Sequence, residues 1–118
     1  MIEKLGIGID MVDVNQFERI SYSSSSAFYK KLFLPIEIKY CLKYKNPYKH
    51  FAGKFALKEA VKKSIPERTS LLDIETSHSK SKPKVRLVGK LEGKYLFLAS
   101  ISHEENFAIG IVISERIN

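Results

Sequence analysis

Residues 50–64, HFAGKFALKEAVKKS, restrict the possible folds more than any other stretch of the chain. Phe51, Phe55 and Ala56, then Leu57, Ala60, Val61 and Ile65, recur at the spacing of an amphipathic helix that needs a core to pack on. Phe55, Glu59 and Lys63 are successively four residues apart, so they stack along one side of that helix, with Lys62 one turn from Glu59. One carboxylate therefore sits among several ammonium groups. Pro47 resets the chain before this helix, and Pro66 requires it to stop nearby.

Charge singles out the same region. Residues 39–68 hold nine Lys or Arg against only Glu59 and Glu67, and the resulting excess equals the whole formal net charge of +7. A positive field so localised suits a polyanionic ligand or an acidic partner; the plainer alternative is a solvated lysine face. With 118 residues, 44% of them hydrophobic, the chain can bury one core but is short for two, so residues 1–118 are expected to form a single domain. Neither a charged-then-apolar leader nor a long apolar run is seen, so no export signal or membrane span is expected. Cys41 is the only cysteine, which excludes an internal disulfide and a thiolate metal site. A reducing cytoplasmic location fits, and the expected role of Cys41 is that of a small buried hydrophobe.

Before the central helix, LGIGIDMVDV at 5–14 reads as a strand with Leu5, Ile7, Ile9 and Met11 on one face and Gly6, Gly8, Asp10 and Val12 on the other. Two glycines weaken a strand, so their presence on the face of Asp10 predicts a close approach to the backbone by a packed helix or a ligand. Asp13 or Asn15 is placed to cap a short helix through Phe17 and Ile20, and the serine-rich run at 21–26 reads as a mobile loop. Residues 27–34 are expected to be helical, and Pro35 opens another helix that ends near Asn46-Pro47. From Leu71 the period changes to two. Strands are expected at 72–76 and 84–88, joined through SHSKSKP, and a hairpin at 95–102 and 107–114 around a loop His103-Glu104-Glu105-Asn106. The fold class is therefore α+β, an antiparallel sheet packed against a long central helix.

If Asp10 and Glu59 face each other where the strand meets the helix, two carboxylates with open water positions suit Mg²⁺, and Lys63, Lys54 and Lys58 would surround phosphate groups. Such a site serves phosphoryl transfer, where positioning and charge neutralisation do most of the catalysis. GIGID at 6–10, FAGKFALKEAVKK at 51–63 and SISHEENFAIGIVI at 100–113, in that order, resemble the holo-acyl-carrier-protein synthase family of 4′-phosphopantetheinyl transferases over most of the chain. The resemblance implies that family's fold and a Mg²⁺-dependent transfer of the 4′-phosphopantetheine arm of coenzyme A to a serine of an acidic acyl carrier protein. It implies Asp10 and Glu59 as magnesium ligands, Lys63 at the diphosphate, Lys54 near the coenzyme and His103 near its phosphates. It also implies a homotrimer with sites between protomers, so that His103 serves a different site from Asp10 of its own chain, or the same site from across an interface. The catalytic set is then Glu59 and Lys63, with Glu59 the candidate base, directly or through water; the substrate-binding set is Lys54, Phe55, Lys58 and His103. His50 and His78 read as surface or packing residues.

Two departures stand out. Relatives follow the lysine with a glycine-containing turn, whereas Lys63 is followed by Ser64-Ile65-Pro66-Glu67-Arg68-Thr69, in which only Arg68 offers compensating charge. A basic residue of the first helix that relatives use against the carrier is Gln16 here, with Arg19, Lys30 and Lys31 as substitutes. Two other readings compete. A small basic nucleic-acid-binding domain would use Tyr40, Tyr44 and Tyr48 as stacking surfaces beside lysines, although they equally form one packed helix face. A catalytically silent relative would bind coenzyme or carrier without transfer. Paired carboxylates at Asp10 and Glu59 argue against the first, and an intact Asp10, Glu59 and Lys63 against the second.

Overall fold

The structure, a computed structural model, describes residues 2–117. Its first strand, β1 (Leu5–Asp13), leads directly into a short helix α1 (Val14–Glu18), and of the two caps the sequence allowed it is Asp13 whose carboxylate accepts the Asn15 N–H at 2.9 Å. The serine run is folded back as turns rather than left free: the Ser25 N–H donates to the Tyr22 carbonyl, and Ser26 already opens α2 (Ser26–Leu32). Helix α3 (Pro35–Leu42) has proline in its first turn, as expected, but ends well before Asn46. Helix α4 (Pro47–Ser64) begins earlier than the apolar pattern indicated, because Pro47 occupies its first turn and the Asn46 side chain caps it by accepting the Tyr48 N–H.

Two hairpins follow. β2 (Ile74–Ser79) and β3 (Lys82–Leu87) turn tightly through Lys80 and Ser81, both at positive φ, so most of the polar SHSKSKP segment is strand rather than connection. β4 (Tyr95–Glu104) and β5 (Phe107–Arg116) are likewise joined by only Glu105 and Asn106. His103 thus belongs to β4, opposite Ala108, and not to the loop. The main sheet runs β1-β5-β4, all antiparallel, while β2-β3 forms a separate ribbon beside β4.

α4 lies over β5, and the glycines explain how closely. A Cβ on Gly6 would lie 1.8 Å from the Ser64 carbonyl oxygen, and one on Gly8 1.9 Å from that of Ala60. Of the two causes the sequence offered for the glycines, a packed helix is the one present. The N-terminal half of α4 packs with Phe17, Tyr29, Phe33 and Ile38 of the small helices, and its C-terminal half with Ile74, Leu87, Tyr95 and Val112. Cys41 is fully buried in the first of these clusters, and burial pushes its thiol up to about 12, as a packing residue requires. The opposite face of the sheet carries Ile7, Ile9, Met11, Leu96 and Leu98, each more than half exposed. No helix among the described residues is long and apolar enough to cross a membrane.

Candidate active site

The alternation of β1 directs Asp10 toward α4 along with Gly6 and Gly8. Gly8 meets Ala60 and Lys63, while Gly110, the residue paired with Asp10, meets Ala56 and Leu57. Asp10 therefore lies level with the turn of α4 that carries Glu59. Lys63 ties the two elements together: its ammonium donates to the Ile9 carbonyl at 2.9 Å and to Asp10 Oδ1 at 3.1 Å. Glu59, one turn earlier on the same side, has only a loose contact of 3.9 Å with Lys62. Both carboxylates are partly open to solvent, with side-chain exposures of 19% for Asp10 and 28% for Glu59, which leaves room for further ligands.

The donor chemistry fits a hard divalent cation. Asp10 and Glu59 supply oxygen only, and no group of three or more His, Cys, Asp or Glu among the described residues is placed to hold a metal. A cation there would complete its shell from water and substrate, which is the habit of Mg²⁺.

Along α4 the site lies between two concavities. One turn before Glu59, Phe55 is half-buried edge-on to Phe17 and lines a groove of about 490 Å³ with Gln16, Arg19, Ile20 and Phe28. One turn after it, Lys62 enters a cleft of about 920 Å³ shared with Arg68, Asp73 and Lys90. The groove is apolar with Arg19 at its margin, and the cleft wall carries Lys62, Arg68 and Lys90 against Glu67 and Asp73.

Lys54 and Lys58 are not where phosphate would meet them, and that expectation is corrected. Lys58 is fully buried, and its three protons go to Glu37 Oε1 at 2.6 Å and to the Leu32 and Leu71 carbonyls at 3.0 Å. Lys54, equally enclosed, donates to Thr76 and lies 4.5 Å from the centre of the Tyr40 ring. Burial pushes both ammonium groups down, with Glu37 acting in the opposite direction. Glu37 is the residue that sequence reasoning missed. It also accepts the Thr76 N–H and hydroxyl, so one buried carboxylate joins α3, α4 and β2. Its signal was indirect: lysines four apart inside an otherwise apolar helix need a buried anion.

His103 faces the same side of the sheet as Asp10 but from the far edge. Asp10 is in line with Gly110 and Ile101, whereas His103 lies one row on, in line with Ala108 and Val12, and its Nε2 is 3.1 Å from the Lys49 carbonyl. Within one chain α4 separates them. His50 and His78 are packing residues, stacked on Tyr44 at 3.7 Å and Tyr40 at 4.7 Å. Since Tyr40 and Tyr44 are engaged in this way, and Tyr48 accepts the Tyr22 N–H, the three tyrosines do not form an open stacking surface for bases.

Residues 6–112 match the family described as the 4′-phosphopantetheinyl transferase superfamily. The holo-[acyl-carrier-protein] synthase of Thermodesulfovibrio yellowstonii is 37% identical over 116 residues, covering 96% of this chain and 98% of that protein. Its counterpart from Halothermothrix orenii is 38% identical over 121 residues, with 94% and 97% covered. Among solved structures, Helicobacter pylori holo-[acyl-carrier-protein] synthase in complex with coenzyme A has a TM-score of 0.78 at 36% identity, over 92% of this chain and 99% of that one. The Bacillus anthracis synthase in complex with CoA (3′,5′-ADP) has a TM-score of 0.76 at 29% identity, over 94% and 96%. Likeness that runs nearly end to end in both sequence and fold places this chain in the 4′-phosphopantetheinyl transferase superfamily, among its holo-[acyl-carrier-protein] synthases.

Proposed function

We propose that this protein transfers the 4′-phosphopantetheine group of coenzyme A to a serine hydroxyl of an apo acyl carrier protein and releases adenosine 3′,5′-bisphosphate. The observation that carries the reading is the position of Asp10, Glu59 and Lys63 between the groove at Phe55 and the basic cleft at Lys62. The groove, with Arg19 on its wall, suits an acidic carrier; the cleft, with Lys62, Arg68 and Lys90, suits the phosphates of the coenzyme. Asp10 and Glu59 would hold Mg²⁺, which when bound supplies charge neutralisation at the diphosphate. Lys63 donates two of its three protons within the protein and keeps the third for a diphosphate oxygen. Glu59 takes the serine proton, directly or through one water.

The exposed sheet face of Ile7, Ile9, Met11 and Leu98 is a surface for self-association, and we assign the protein a homotrimeric assembly and a cytoplasmic location. In that assembly His103, on the edge of the sheet opposite Asp10, serves the site of a neighbouring protomer. Asp10→Ala and Glu59→Gln test the site. Each should abolish transfer to the carrier with an unchanged circular dichroism spectrum, and near-normal transfer by either variant would remove the metal site.

A further inference from the structure

The turn after α4 has no glycine, yet it is held firmly from one side. Glu67 Oε1 accepts the Tyr95 hydroxyl at 2.6 Å, and Arg116 donates from one nitrogen both to Glu67 Oε2 and to the Tyr95 oxygen, the latter at 2.7 Å. Tyr95 opens β4 and Arg116 closes β5, and the two are direct cross-strand partners, so the end of the sheet grips the loop. The guanidinium also lies 5.3 Å from the centre of the Tyr95 ring, and Tyr95 itself is buried. The Tyr95 and Arg116 hydrogen bonds hold the Glu67 carboxyl below its usual range, so it stays an anion paired with Arg116.

The next residue, Arg68, is exposed and lines the 920 Å³ cleft with Lys62 and Lys90. Because Glu67 is neutralised by Arg116, the uncommitted carboxylate on the cleft wall is Asp73, against three cations. A cleft of this size accommodates a nucleotide, and its charge favours phosphate.

We propose that Glu67, Tyr95 and Arg116 form a clamp that fixes residues 65–70 so that Arg68 binds a phosphate group of the coenzyme. The proposal rests on the transferase reading above. Glu67, Tyr95 and Arg116 are positioning residues that act through Arg68, and only Arg68 touches the ligand.

Arg68→Ala, Glu67→Gln, Tyr95→Phe and the double variant Glu67→Gln/Arg68→Ala separate these roles, with kcat and KM for coenzyme A and the thermal midpoint measured for each. Loss of one charge-assisted contact corresponds to about a tenfold rise in KM, with kcat little changed, for Arg68→Ala. Glu67→Gln and Tyr95→Phe should raise KM in the same direction, and the double variant should be no worse than Arg68→Ala alone. Arg68→Lys should restore part of the affinity. Repetition with 3′-dephospho-coenzyme A identifies the phosphate: an Arg68 effect confined to coenzyme A assigns the contact to the 3′-phosphate, and an equal effect on both assigns it to the diphosphate. Clamp variants that lower the thermal midpoint without moving KM, or a double variant whose effects multiply, would overturn the clamp and leave the transferase reading standing. If the wild-type protein transfers nothing, that reading fails, and calorimetric binding of coenzyme A to the same variants decides the clamp by the same comparison.

Discussion

Gly8→Ala should damage both stability and activity, although it adds a single methyl group. The new Cβ would lie 1.9 Å from the Ala60 carbonyl oxygen. Ordinary carbon–oxygen contact begins near 3.3 Å, so α4 and β1 must separate by about 1.4 Å at this level. Neither neighbour yields readily, because the obstructing atom is helix backbone. Overpacking of this kind costs about 1–3 kcal/mol, roughly 4–12 °C in thermal midpoint for a domain of this size. The same separation pulls Asp10 away from Glu59 and Lys63, and a misplacement of about 1 Å at a reacting centre lowers rates about a hundredfold. Gly53→Ala is the control for stability alone, since its Cβ would meet only side chains, His103 at 3.3 Å and Ile101 at 3.5 Å, and alanine gains about 1 kcal/mol of helix propensity. Calorimetry and initial transfer rates read both effects. A Gly8→Ala protein with wild-type midpoint and rate would refute the claim that close helix–strand contact builds the site.

Three further outcomes follow from other parts of the molecule. Lys58→Met strands the Glu37 carboxylate in the interior and should lower stability by about 3–5 kcal/mol in urea denaturation, far more than any exposed lysine. Burial, with His103 and Lys49 beside His50 and Lys54 beside His78, holds both imidazoles below their ordinary value of 6.5, so as pH falls below 6.5 the unfolded chain binds protons first; stability should be full above that pH and decline beneath it, with a shallower slope in His78→Phe. Ile9→Glu or Leu98→Glu places charge on the exposed sheet face and should convert the proposed trimer to monomers by light scattering, with transfer lost if His103 serves a neighbouring site as proposed.

What the sequence could and could not disclose follows from which interactions are local. The glycines beside Asp10 announced a close approach, and the spacing of Phe55, Glu59 and Lys63 put them on one helix face, since both depend on short periodicities. The strands of the second half were legible for the same reason, but the turns were not. Lys80, Ser81 and Glu105 adopt positive φ without being glycine, so the connecting segments read longer than they are and His103 reads as part of a loop. Nothing in the spacing of Lys54 and Lys58 separates a solvated lysine from a buried one, because their partners, Thr76 for Lys54 and Glu37 for Lys58, lie many residues away. The Glu67, Tyr95 and Arg116 contact joins a loop to two strand ends far apart in sequence, and no local pattern could reveal it.

The central claim is that this site moves phosphopantetheine from coenzyme A to a carrier with the help of a divalent cation. Incubating the protein with coenzyme A, Mg²⁺ and an apo acyl carrier protein, and recording the carrier's intact mass with and without a chelator, tests it most directly. The account predicts a gain equal to one phosphopantetheine group that the chelator prevents and added Mg²⁺ restores. An unchanged mass across several acidic carriers, from folded protein that binds coenzyme A, would contradict it.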